Sequence, residues 1–66
     1  MISDAEAEGY VKTLLQHFPE RLSEWEDTFV RNIKLNYVDT GRPLTDKQRE
    51  KLDAIMERVA QQHGRR

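Results

Sequence analysis

A serine or threonine followed three positions later by a glutamate or glutamine occurs at Ser3–Glu6, Ser23–Glu26 and Thr45–Gln48, and each time an apolar repeat of helical spacing follows. In such a capping box the hydroxyl and the acid or amide each satisfy one backbone N–H at a helix start. Three boxes predict three helices, and no strand-like alternation competes with them. The expected fold is an all-α three-helix bundle in which helices 2 and 3 form an antiparallel hairpin and the first helix packs across them.

The apolar spacing predicts where each helix runs. Ala7, Tyr10, Val11, Leu14, Leu15 and Phe18 make a single helical stripe over about 4–17, weakened at Gly9 and stopped by Pro19. After the Ser23 cap, Trp25, Phe29, Ile33 and Tyr37 recur at steps of four with Val30 beside them, so this aromatic-rich helix is expected to supply the centre of the core. Leu35 and Val38 lie partly off that stripe, which makes the helix apolar on more than one side and suits it to being covered by a neighbour or a partner. Asp39-Thr40-Gly41-Arg42-Pro43 ends it, with Gly41 suited to the left-handed position after a helix. The third helix carries Leu52, Ile55, Met56 and Val59 on one face. The expected domain is 1–61, with 62–66 a frayed basic tail. The predicted buried set is Tyr10, Val11, Leu14, Leu15, Phe18, Leu22, Trp25, Phe29, Ile33, Tyr37, Leu44, Leu52, Ile55, Met56 and Val59.

Such a core is small. A chain of 66 residues buries only about 60% of its unfolded surface. There is no cysteine to form a disulfide, and two histidines are too few for a structural zinc site. Tight helix packing or pairing with another copy remains, so a dimer is an open alternative to the monomer. Apolar runs never exceed three residues, far below the roughly 20 that span a bilayer, and no basic start of a signal peptide is expected. No membrane contact is expected, and the expected location is the cytoplasm, that of the host cell if the chain is phage-encoded.

The net charge of −1 hides an asymmetry. Seven acids against Lys12 and Arg21 give −5 over 1–30, whereas nine bases against five acids give +4 over 31–66. Acids near helix starts and bases late in a helix complement the macrodipole, which accounts for much of this pattern. A basic face for nucleic acid, or an acidic face that imitates it, would require the fold to segregate these charges in space.

Nothing in the chain has the spacing of a catalytic site. Ser3, Ser23 and Thr45 already serve as caps, and neither His17 nor His63 has a nucleophile beside it in a recognisable motif. His17 suits the carbonyls at the end of the first helix. The crowded carboxylates Glu24, Glu26 and Asp27 occupy a first helical turn, where acids are favoured, and no glycine-bearing calcium loop accompanies them. Gly9, Gly41 and Gly64 stand alone, so there is no phosphate loop. No enzymatic activity, cofactor, metal or small-molecule substrate is expected.

Two stretches resemble known modules. Leu44-Thr45-Asp46-Lys47-Gln48-Arg49-Glu50-Lys51-Leu52-Asp53-Ala54-Ile55 is similar to the opening helix of the helix-turn-helix domains of sigma-like and LuxR-like regulators. In those families the helix that enters the major groove comes one or two helices later, and no such helix follows here. More widely, Leu22, Trp25, Glu26, Phe29, Ile33, Gly41-Arg42, Leu44-Thr45, Lys47-Gln48, Leu52, Ile55 and Arg58 resemble a short helical module of small phage and prophage proteins. That module also occurs at the ends of some phage DNA-metabolism proteins. The resemblance implies a phage-like setting, and it carries no activity with it.

Two functional classes follow. One is a non-catalytic, regulatory protein-interaction module that binds a host or phage protein or itself through outward residues Leu35, Val38, Arg42, Lys47 and Lys51. The alternative is a nucleic-acid accessory protein that uses Arg42, Lys47, Arg49, Lys51, Arg65 and Arg66 at the basic turn and third helix start. Asp46, Glu50 and Asp53 dilute that basic patch.

Overall fold

The computed structural model describes residues 2–64, with the side chains of 63 and 64 excepted. Its helices are α1, Asp4–His17; α2, Glu24–Ile33, which continues into a π-turn at Lys34–Val38; and α3, Asp46–Gly64. A 3₁₀ turn at Pro19–Arg21 joins α1 to α2. The described residues include no strand.

All three capping boxes form. Glu6 N–H donates to Ser3 Oγ and Ser3 N–H to Glu6 Oε1, both at 3.1 Å. The equivalent bonds are 2.9 and 3.2 Å between Ser23 and Glu26, and 2.8 and 3.2 Å between Thr45 and Gln48. Two otherwise orphaned donors are thus satisfied at each start, by residues within three positions of one another. Pro19 opens the 3₁₀ turn, where its missing N–H is no loss. Gly41 adopts φ +75°, a region a side chain with Cβ avoids.

The chain runs up, down and up. Asp4 pairs with Arg49 at 2.9 Å, tying the start of α1 to the start of α3, while the Arg58 guanidinium donates to the Arg21 carbonyl at 3.3 Å near their far ends. α1 and α3 are therefore parallel, and α2 is antiparallel to both. α1 makes the closest backbone approach to each of the others. α2 and α3 meet mainly through long side chains, as Glu26 with Arg58 and Trp25 with Lys51 show.

Leu14, Ile33, Leu52, Val11, Val30 and Val59 form the fully enclosed centre, joined by Ile2, Ala7, Leu44 and Ile55. Tyr10, Leu15, Phe18, Leu22, Phe29, Tyr37, Val38 and Met56 pack around it, each partly exposed. Two expectations need correcting. Trp25 is 56% exposed and lies at the edge of the bundle. Four residues advance an α-helix by about 400°, so a row of fours drifts by about 40° per step and Trp25 lies far around the helix from Ile33. Val30, three before Ile33, takes the buried place instead. Ile2 and Ala7 are also buried, although neither was in the expected set.

Val38, expected to face outward, packs against the core. The cause is the π-turn, in which Asp39 N–H donates to the Lys34 carbonyl, five residues back, at 2.8 Å; Gly41 N–H to the Val38 carbonyl at 3.3 Å and Arg42 N–H to that of Tyr37 at 2.8 Å then close the helix end around Gly41. Each residue of such a turn advances by less than the roughly 100° of an α-helix, which brings Tyr37 and Val38 to the core side together. α3 remains helical through Gly64, past the expected end of the domain at residue 61. Arg65 and Arg66 lie outside the described residues.

Candidate functional site

With the core complete, the apolar surface left over falls on two flanks of α2. On the flank toward α1, Leu35 is 62% exposed and lines a groove of about 380 Å³ with Leu15, Arg31 and Lys34. On the flank toward α3, Trp25 stacks on Phe29 with ring centroids 5.3 Å apart and planes 8° from parallel. The Lys51 ammonium sits 4.9 Å from the Trp25 ring centroid. The exposed Trp25 ring thus already has two neighbours, an aromatic and a cation. Leu35 is the more open of the two exposed large hydrophobic residues among those described.

The two cations beside Leu35 are each anchored on one side. Arg31 Nε donates to both Asp27 carboxylate oxygens, at 3.1 and 3.0 Å, and Lys34 Nζ donates to both of Asp39, at 3.4 and 3.1 Å. The Arg31 side chain is 62% exposed, so the outer edge of its guanidinium stays open to another carboxylate.

The remaining expected contact residues are scattered. Arg42 lies in the loop before α3 and lines a second cleft, of about 320 Å³, with Asp4, Glu8, Tyr37 and Gly41. Lys47 is exposed in the first turn of α3. Lys51 is held by Trp25, on a different flank of α2 from Leu35. Arg49 is committed to Asp4, and its Nε is buried without a hydrogen-bond partner. Of the expected nucleic-acid set, Arg42 and Lys47 are therefore, among the described residues, the exposed cations left without such a commitment. The helix start beside them is already engaged by Thr45, through its bond from Gln48 N–H.

The acidic cluster at the start of α2 is likewise used internally. Glu26 accepts the Ser23 N–H and pairs with Arg58, and Asp27 holds Arg31. Burial pushes the Glu26 pKa up, but the Ser23 backbone bond and the hydrogen bond and charge of Arg58 outweigh it, leaving the carboxyl below its ordinary value. No three His, Cys, Asp or Glu side chains among the described residues are grouped so as to hold a metal ion. No helix among them is long and apolar enough to cross a membrane.

Fold and surface together define a small all-α bundle with one open leucine groove on the flank of its middle helix. Comparison with protein-family models, curated proteins and solved structures finds no match to this chain.

Proposed function

We propose that this chain is a non-catalytic helical interaction module that binds protein through the outer face of α2, centred on Leu35. The observation that carries this reading is the exposure of Leu35 at 62% beside Leu15, on a bundle whose core closes without it. Exposed large apolar groups that line a groove mark contact surfaces, whereas isolated ones are ordinary. The resemblance of 22–59 to a phage helical module adds a setting, a phage or bacterial cytoplasm, in which the bound protein would belong to the phage or to its host.

Replacing Leu35 by a photo-crosslinking amino acid, with exposed Glu50 as the control position, tests it in cells. Adducts specific to position 35 are expected. The same adducts from position 50, or none from position 35, would refute the reading. A nucleic-acid role would rest, among the described residues, on Arg42 and Lys47, with Arg65 and Arg66 outside them, and a gel-shift series at low and moderate salt tests it separately.

A further inference from the structure

We infer that the Leu35 groove is where two copies of this chain pair, α2 against α2 in antiparallel, with Leu35 at the two-fold axis. This rests on the reading of the α2 face as a protein-binding surface and names its occupant.

The argument is one of charge placement. Asp27, Arg31, Leu35 and Asp39 recur every four residues; Asp27 and Arg31 lie on α2, and because four residues of a π-turn make nearly one full turn, Asp39 returns to the side of Leu35. In an isologous contact the same patch serves both subunits, so residue i of one meets residue j of the other and the reverse. Centring that contact on Leu35 sets position 31 opposite position 39. Arg31 then faces the partner copy's Asp39, and Asp39 faces its Arg31, one pair on each side of a leucine contact. Position 34 falls opposite Asn36, and Lys34 shares the Asp39 carboxylate with the partner copy's Arg31.

The side chains are already disposed for this. Arg31 spends its Nε on Asp27 and leaves its outer nitrogens free, and the Asp39 carboxylate is held forward by Lys34 with 45% of its side chain exposed. The incoming Leu35 enters the groove beside Leu15, which buries the most exposed large hydrophobic residue among those described. A domain with so small a core gains stability from such pairing by mass action. The patch is a single row of side chains, so the association is weak, on the order of micromolar to millimolar, and weakens with salt.

Sedimentation equilibrium across that concentration range tests the inference with charge-reversed variants. R31E places two acids against each other at both ends of the contact, and D39R places two arginines there. Each is expected to weaken self-association by at least about tenfold. An equimolar mixture of R31E and D39R restores both attractive pairs and is expected to pair as well as the unaltered protein. Circular dichroism of each variant checks folding, and recovery in the mixture shows independently that both are folded. A nitroxide at Asn36→Cys supplies a second readout, since it should broaden the amide of Lys34 in an isotope-labelled, unmodified copy.

A strictly monomeric protein at millimolar concentration would overturn the inference. So would pairing indifferent to both reversals, or a mixture that fails to recover. Crosslinking from position 35 to a different protein by a monomeric chain would remove this pairing while leaving the interaction role intact.

Discussion

Arg58 of α3 pairs with Glu26 of α2 while that same carboxylate caps its own helix by accepting the Ser23 N–H, so one acid closes a helix start and fastens a second helix to it. Arg58 extends the link to the Arg21 carbonyl and to Gln62. The 3₁₀ turn, α2 and the later part of α3 are thereby joined at one point.

The Glu26 charge should make stability depend on acid. Folding holds this carboxyl below its ordinary pKa of 4.5, so the unfolded chain binds the proton more tightly. Its contribution is present in full above that value and is lost as pH falls from there through the folded pKa. Glu26→Gln keeps the capping box and removes the charge. We expect it to be about 1 kcal/mol less stable near neutrality, with the two proteins converging under acid. Urea melts at several pH values check this, and a gap that persists unchanged at low pH would contradict it.

Leu52 and Trp25 should behave oppositely to what their sizes suggest. Leu52 is fully enclosed, and Leu52→Ala is expected to cost about 2–5 kcal/mol through the cavity it leaves. Trp25→Ala gives up the Phe29 stack and the Lys51 contact at an exposed site, about 1 kcal/mol. Equal losses of midpoint in chemical denaturation would place Trp25 in the core after all.

The glycines separate by backbone angle. Nothing lies within 4 Å of a Cβ built at Gly9, inside α1, so Gly9→Ala should stabilise by up to about 1 kcal/mol. A Cβ at Gly41 also meets no atom, yet φ is +75° there, so Gly41→Ala should destabilise by about 1 kcal/mol or more. Thermal unfolding of the two variants must shift in opposite directions.

Caps give a local measure of how much each helix start contributes. Thr45→Ala removes the acceptor for Gln48 N–H and is expected to cost about 1 kcal/mol. Amide exchange in the first turn of α3 should quicken more than in α1, and uniform acceleration would mean that the cap is not acting locally.

What the amino-acid order determined by itself was whatever depends on near neighbours. The three boxes, the stop at Pro19 and the turn at Gly41 are interactions within a few residues, so Ser3, Ser23 and Thr45 marked the helix starts and the all-α class followed. The buried ridge of α3 was legible for the same reason, since Leu52, Ile55 and Val59 follow one helical period. The core phase of α2 was a different matter. Several apolar rows run along that helix, and its packing against α1 selected Val30 and Ile33 while leaving Trp25, the first residue of the row of fours, at the surface. The π-turn, whose bond from Asp39 N–H reaches back five residues to Lys34, left no composition signal, and it turned Val38 inward. Arg49, counted among the surface cations, was claimed by Asp4 from a helix 45 residues away in the chain. Leu35 stayed outside under either reading, because no other described part of the fold reaches over it.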